Sequence, residues 1–518
     1  MNKRILILTI IFTFLLGCSP KNSSQSPSPT NSWNVTAPEE QGIDSTKLHQ
    51  MMGVIEELDL PVDSVVVVRH GQLVFEAYPN PDYGPEDLHL LYSVTKSFTS
   101  ALVGIAIEEG FIKDVNQKVV DFFPEWTIKN LDSRKQELTI EDLLTMSCGF
   151  EWEGPDDNLH TWGEANRSGN PVKYTLDQPM ASNPGTEWVY NGGCSHILSA
   201  ILTKTSGQST LDFAREHLFT PLGITEVKWP RDSQGIYYGG QDIWLTPRDM
   251  AKFGQLFLNN GVWENQQIIP ADWVARSAET RLTHWVGGYG YQWWTYPQSG
   301  IYYASGAYEQ RIYVVPNLDM VVVFTSDNKA SGLKAGEMRS GPSMVDWLLG
   351  RFILASCDDF TNTTYARYGF SLEIPGIMTA FEQGKSWQGE ASETSGLVQF
   401  RYGASPYENI SVQWDTVESS PNLQAALDEF SADLRGLGVE INETGQTVST
   451  TKGDHEFVYL SFEITEREYT YPGVIGAWYC EETDRIFILY AAYILELQER
   501  VDPLTEFQRY VDSFTCHQ

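Results

Sequence analysis

A helix over residues 98–107 (FTSALVGIAI) is apolar around most of its circumference. Phe98, Ala101, Leu102 and Ile105 form one stripe, and Val103, Ala106 and Ile107 fill the rest. Such a helix needs neighbours on nearly every side, which predicts a buried central helix. Ser93-Val94-Thr95-Lys96 precedes it and Glu108-Glu109-Gly110 ends it. Positions i and i+3 of a helix share a face, with Cβ atoms about 5–6 Å apart. Where neighbours or burial lower its pKa, Lys96 can therefore take the Ser93 proton and turn an inert alcohol into an acyl-accepting nucleophile. Backbone N–H groups of the first turn can stabilise an oxyanion at the serine end. Ser326…Lys329 and Ser331…Lys334 match the same spacing, but the first ends a strand-like run and the second lies in a Gly/Ser/Lys loop. Neither opens a helix, so Ser93 and Lys96 are the candidate catalytic pair. The competing reading is an ordinary serine at a helix start with a snorkelling lysine.

At 518 residues, 42% of them hydrophobic, the chain exceeds one core and predicts two or more domains. A formal charge of −33 argues against a nucleic-acid partner, which would want a basic stripe, and against charge-driven binding to anionic lipid. Lys3 and Arg4 precede an apolar stretch at 5–16, too short to span a bilayer and of signal-peptide length. Leu15-Leu16-Gly17-Cys18 looks like a bacterial lipobox, so residues 1–17 read as a lipoprotein signal peptide with Cys18 as the lipidated N-terminus. Residues 18–34 follow as a Ser/Pro tether. The expected location is the bacterial cell envelope, lipid-anchored and extracytoplasmic. An oxidising compartment permits disulfides. Cys480 with Cys516 is the expected pair, with Cys148, Cys194 and Cys357 as buried apolar fillers. No metal-ligand spacing occurs and Asp156-Asp157-Asn158 with His160 reads as a polar loop, so no metal is expected.

Strand signals at 65–69 and 73–78 flank the His70-Gly71 turn, helix-like segments occupy 95–277, and strand signals return at 290–325. Strands from both ends with helices between predict an α+β module over residues 35–357, built on an antiparallel sheet. Residues 358–364 read as a linker, and 358–518 as a second, smaller α+β domain of unknown role. No nucleophile–base pair occurs in it, and its many aromatic residues read chiefly as core and strand packing.

Tyr190 follows the Pro184-Gly185 turn and stands just before a helix-like segment, where its phenol could relay protons to and from the serine oxygen. Ser93-Val94-Thr95-Lys96, then residues 138–149 (LTIEDLLTMSCG), Pro184-Gly185-Thr186…Tyr190-Asn191 and residues 245–254 (LTPRDMAKFG) stand in a familiar order. On these motifs the module resembles the serine hydrolases related to class C β-lactamases, a family of penicillin-recognising enzymes, peptidases, esterases and amide hydrolases. The resemblance covers residues 35–350. It implies a β-lactamase/transpeptidase-like fold, an antiparallel sheet flanked by helices with an all-α subdomain beside it. It also implies Ser93 as acylated nucleophile, Lys96 as its proton-shuttling partner and Tyr190 as general base and acid.

The family's third element, a Lys/His-Thr-Gly triplet, corresponds to Ala304-Ser305-Gly306. Ser305 and Gly306 would then flank substrate, and the Ala307 N–H would complete an oxyanion hole with the Ser93 N–H. The cation heading the triplet is absent, and Asn191 directly follows Tyr190 where the family spaces its asparagine one residue further. Anionic recognition is weakened by both changes, so β-lactamase activity is not expected and an uncharged ester, amide or peptide fits better. Arg311 could replace the lost cation or serve a surface turn. The loops 151–171 and 283–290, with Trp152, Trp162, Trp285 and the nearby Trp293-Trp294, could wall an apolar cleft or simply pack. The expected function is a serine hydrolase working through a Ser93 acyl-enzyme without a cofactor. The alternative is a non-catalytic envelope-binding module with a degenerate penicillin-binding fold.

Overall fold

The computed structural model describes residues 33–516, apart from 153–157, 285–286, 327–342, 361, 376–377, 385–388, 403–407, 437–439, 453–454, 467–468 and 494–501. The expected signal peptide with Cys18, Trp285, and Asp156 and Asp157 of the expected polar loop therefore lie outside the described residues. Two compact units are present, Met1–Ser45 with Asp59–Arg339 and Thr46–Leu58 with Ser340–Gln518.

In the first unit β1 (Val62–Arg69) and β2 (Gln72–Ala77) form the expected hairpin, and His70 and Gly71 turn it with φ of 50° and 70°. The remaining strands come from distant sequence: β3 (Leu282–His284), β4 (Gly287–Tyr289), β5 (Trp294–Tyr296), β6 (Ile301–Gly306), β7 (Gln310–Val315) and β8 (Met320–Ser326). Their spatial order is β2-β1-β8-β7-β6-β5-β4-β3, antiparallel throughout. Strand alternation sends Val66, Val68, Tyr302, Ala304, Ile312, Val314, Val321 and Val323 into one hydrophobic core.

Four helices matter for the site: α1 (Thr95–Glu108), α2 (Ile140–Leu144), α3 (Gly192–Ser206) and α4 (Pro247–Leu258). Residues Thr95 to Ala106 of α1 are all buried, as its apolar circumference demands. Phe98 stacks on Phe253 of α4 with ring centroids 3.7 Å apart. Thr139 and Asp142 close a reciprocal capping box on α2, and Thr246 caps α4.

The second unit carries β9 (Met378–Gln383), β10 (Ser395–Tyr402), β11 (Glu408–Thr416), β12 (Glu440–Glu443), β13 (His455–Glu466), β14 (Tyr469–Cys480) and β15 (Arg485–Tyr493). They run in the order β9-β10-β11-β15-β14-β13-β12. Helix α5 (Leu423–Gly436) lays Leu427 and Phe430 into the core that Leu460, Phe462, Ile475 and Ile488 contribute. Helix α6 (Pro503–Ser513) buries Phe507, Tyr510 and Val511.

Among the described residues the second unit takes up the chain from Ser343, ahead of the boundary that the composition change placed at 357/358. Helix Ser45–Glu57 belongs almost wholly to the second unit, where the Lys47 ammonium donates to the Ala355 carbonyl at 2.6 Å. Composition cannot reveal such a return of early chain to a late segment. The disulfide also differs from expectation. Cys148 and Cys194, 46 residues apart in sequence, are bonded to each other and are not independent fillers. Cys480 and Cys516 are thiols here, with Sγ atoms 2.6 Å apart and His455 Nε2 3.8 Å from Cys516 Sγ. The expected pair is thus brought side by side without being bonded, while the packing of α2 against α3 joins two cysteines from distant segments.

Candidate active site

Ser93 sits in a single 3-10 turn, Tyr92–Val94, that runs directly into α1. Tyr92 holds a left-handed φ of 45°, a costly conformation for a tyrosine that persists only where its surroundings enforce it. The Thr95 hydroxyl does part of this, donating to the Tyr92 carbonyl at 2.6 Å and accepting from the Ile243 amide at 3.1 Å. Lys96, 3% exposed, reaches back along the helix so that its Nζ stands 3.0 Å from Ser93 Oγ. The same nitrogen donates to the Gly240 carbonyl at 2.6 Å and lies 4.8 Å from the centroid of the Tyr190 ring. The three residues expected to act together are thus assembled around one nitrogen.

The residues that aim Lys96 went unnoticed in the sequence. Gly239 and Gly240 are both buried against the first turns of α3. A Cβ on Gly239 would stand 2.2 Å from the Ser195 carbonyl oxygen, and one on Gly240 would be 3.0 Å from that of Gly192. Only a side chain of hydrogen lets this backbone come so close. A Gly-Gly pair inside YYGGQD was the available signal, but glycine pairs are common in turns. Gln292 was also missed. Its side chain accepts from Ser195 Oγ (2.6 Å) and donates to the Leu143 and Leu144 carbonyls (2.9 and 3.0 Å), while its own carbonyl accepts from Ser97 Oγ (2.7 Å). It ties α1, α2 and α3 together beneath the nucleophile.

At the third element, an added Cβ on Gly306 would lie 2.3 Å from the Leu91 carbonyl oxygen. The end of β6 is therefore pressed against the chain two residues before Ser93, and Ala307 opens the next turn. Ala304 is wholly buried with Ile312 in the core, and Ser305 is half-buried. Tyr308 and Glu309 take left-handed φ values of 59° and 63°, and the Tyr308 ring lies 5.1 Å from that of Tyr92. Arg311 pairs with Ser305 across the strands. Its guanidinium donates to the Gly306 and Gln310 carbonyls (3.0 and 3.1 Å) and meets the Glu309 carboxylate at 3.4 Å. It is a buried brace for this turn, held by its own strand end, which differs from the surface turn that was one of its two expected places.

Asn191 requires correction. Its side-chain oxygen caps α3, accepting from the Gly193 and Cys194 amides at 2.8 and 3.3 Å, so that oxygen is committed to the helix and not to a substrate. The shift by one residue relative to the family spacing places it at the cap position.

Aromatic residues line the neighbouring sheet face. Tyr289, Trp294, Tyr303 and Tyr313 stand opposite one another across β4, β5, β6 and β7. Trp294 and Trp188, both partly exposed, lie 5.8 and 6.1 Å from the Tyr190 ring. Burial, with the adjacent Tyr190, pushes the Tyr289 phenol well above its ordinary range. Trp152 and Trp162 instead pack in a small cluster with Ala165, and Trp293 is wholly buried in the core.

This fold, with a serine, a lysine and a tyrosine brought together at one point, is that of a serine hydrolase. The chain belongs to the beta-lactamase family, whose model matches residues 48–338. It is 25% identical over 281 residues to the 6-aminohexanoate-dimer hydrolase of Paenarthrobacter ureafaciens, covering 50% of this chain and 71% of that one. It is 23% identical over 194 residues to the lovastatin esterase of Penicillium rubens, covering 34% of this chain and 48% of that one. Among solved structures, a penicillin-binding protein homologue from Caulobacter crescentus is 13% identical, with 57% of this chain and 93% of that one covered and a TM-score of 0.45.

Proposed function

We propose that this protein is a lipid-anchored, extracytoplasmic hydrolase of small uncharged esters or amides that works through an acyl-enzyme on Ser93. The observation carrying the reading is the 3.0 Å approach of Lys96 Nζ to Ser93 Oγ, with Tyr190 beside the same nitrogen. Ser93 Oγ attacks the substrate carbonyl as its proton passes to the Lys96 amine. The tetrahedral oxyanion is held by the Ser93 and Ala307 N–H groups, each such donor typically worth about 10²–10³ in rate. The Tyr190 phenol delivers a proton to the departing alkoxide or amine and regains one from Lys96. Water, deprotonated by the same pair, then attacks the acyl ester, and the carboxylic acid leaves with Ser93 reprotonated.

An uncharged substrate fits because Ala304 brings no cation and Arg311 is engaged by Gly306, Gln310 and Glu309. Trp188 and Trp294 beside Tyr190 favour an apolar acyl chain. Relatives named as an aminohexanoate-dimer hydrolase and an esterase support amide or ester chemistry, and the absence of charge rests on Ala304 and Arg311 alone. The N-terminal LLGC sequence supports anchoring through Cys18.

Ser93 is tested with a fluorophosphonate probe and p-nitrophenyl esters. The full chain should be labelled at Ser93, and Ser93→Ala should abolish turnover while leaving the melting temperature unchanged. Ester hydrolysis by that variant at the parent rate refutes the assignment. Anchoring is tested by metabolic labelling with an alkynyl fatty acid. Cys18→Ser should lose the label and release the protein from membranes, and retention of both refutes the anchor.

A further inference from the structure

The strap formed by residues 237–240 is pinned at nearly every peptide. Ser199 Oγ donates to the Tyr237 carbonyl (2.6 Å), Trp229 Nε1 to that of Tyr238 (2.9 Å) and Thr99 Oγ1 to that of Gly239 (2.7 Å). The Gly240 carbonyl is left for Lys96 (2.6 Å). One peptide N–H in this run, that of Gly239, is donated to a titratable ring, His196 Nδ1, at 3.4 Å. His196, wholly buried on α3, presents its other nitrogen Nε2 to Asp232 Oδ2 at 3.0 Å. The Asp232 Oδ1 accepts from the Gln234 and Ile236 amides (2.8 and 2.9 Å), which fixes the turn leading into the strap.

These contacts determine a tautomer. A nitrogen that accepts from a backbone amide carries no proton, so Nε2 bears the hydrogen and gives it to the carboxylate. Burial pushes the Asp232 carboxyl up, but the His196 hydrogen bond and the two amides outweigh this and hold it below its usual range. A carboxylate can only accept, so it locks His196 in the form that receives Gly239. The Trp162 and Tyr238 rings, each 5.5 Å from the imidazole, complete its surroundings.

We propose that His196 and Asp232 are positioning residues for Lys96: the pair sets Gly239, and through it the Gly240 carbonyl that directs the Lys96 amine at Ser93. This rests on the Ser93–Lys96 assignment above. An amide at 232 can offer either an oxygen or an N–H to Nε2. Offering N–H would move the imidazole proton to Nδ1, where it opposes the Gly239 N–H. The near-isosteric Asp232→Asn therefore slackens the strap without emptying the core. A displacement of about 1 Å at a reacting group can cost about 10²-fold in rate.

The experiment measures the second-order rate constant and the final stoichiometry of fluorophosphonate labelling for the parent, Asp232→Asn and His196→Gln. In that reaction Ser93 Oγ displaces fluoride from phosphorus and its proton goes to Lys96, so the rate reports nucleophile activation alone. The expected result is full stoichiometry at a rate lowered at least about tenfold, with ester kcat falling in parallel and KM little changed. Loss of stoichiometry at an unchanged rate would mark a merely structural pair and overturn the proposal, as would parent rates in both variants. Should neither variant fold, Asp232→Ser withdraws the carboxylate from Nε2 without adding volume, and its labelling at the parent rate overturns the proposal equally. Failure of the parent itself to label at Ser93 is a separate outcome, which removes the catalytic assignment and this inference with it.

Discussion

Gly239→Ala is the most sensitive steric probe of the site. The added Cβ would start 2.2 Å from the Ser195 carbonyl oxygen and 2.9 Å from Ser199 Cβ. Ser195 lies in the first turns of α3 and is wholly buried, so its backbone cannot withdraw cheaply. Contacts of this kind under 3.0 Å are not sustained, so the strap must retreat by at least 0.8 Å (3.0 − 2.2). If that motion lies along the Gly240–Lys96 hydrogen bond, its length grows from 2.6 to about 3.4 Å. Overpacking of this order costs about 1–3 kcal/mol of stability, and the misdirected amine should lower kcat about 10–100-fold with KM nearly constant. Gly240→Ala provides a graded comparison, because its Cβ would meet the Gly192 oxygen at 3.0 Å and Lys96 Nζ at 3.5 Å, a milder conflict. Steady-state ester hydrolysis with thermal unfolding measures both effects. Parent kcat and melting temperature in Gly239→Ala would refute the idea that strap closeness aims the lysine.

Other features make independent predictions. Gly306→Ala should cut activity at least about tenfold, because its Cβ would begin 2.3 Å from the Leu91 oxygen and push β6 from the nucleophile turn; unchanged ester turnover contradicts this. Lys135, fully buried, donates to the Lys129, Leu176 and Gln178 carbonyls at 2.9, 2.8 and 2.6 Å. Lys135→Met should therefore destabilise the first unit by about 3 kcal/mol in urea unfolding. Reducing the Cys148–Cys194 bond, which spans 46 residues, should lower stability by up to about 4 kcal/mol on loop entropy, read by melting with and without reductant. In the second unit, burial raises the Glu506 carboxyl, but Arg351 and Arg509 outweigh it and leave its pKa lowered. A lowered pKa means that the folded state binds fewer protons, so this stabilisation is present above the ordinary carboxylate range and is lost as pH falls through the folded value. Glu506→Gln should flatten the fall of the melting temperature between about pH 6 and about pH 3, and an identical pH slope in the variant refutes the pairing.

What was readable beforehand was local. Helical spacings of three and four residues put Lys96 over Ser93 and made residues 98–107 a core helix, because helix periodicity alone decides which side chains share a face. The His70-Gly71 turn was equally short-range, and β1, β6, β7 and β8 followed from apolar runs bounded by turns. Tyr190 was singled out by its turn and by its order after Ser93 and Lys96, and the approach of its ring to Lys96 is a fact of packing. The cysteine pairing, the assignment of helix Ser45–Glu57 to the second unit and the burial of Arg311 in a brace each depend on which distant segments meet. No periodicity encodes that.

The same division explains the strap. From the chain by itself one could obtain the nucleophile, its lysine and the helix that carries them, since those depend on contacts within one turn. Only the folded molecule showed that Asp232, His196, Gly239 and Gly240 converge on that lysine. The hydrogen bonds from His196 to Asp232, from Gly239 to His196 and from Lys96 to Gly240 span 36, 43 and 144 positions, and such meetings are decided by the packing of α1 and α3 as whole elements.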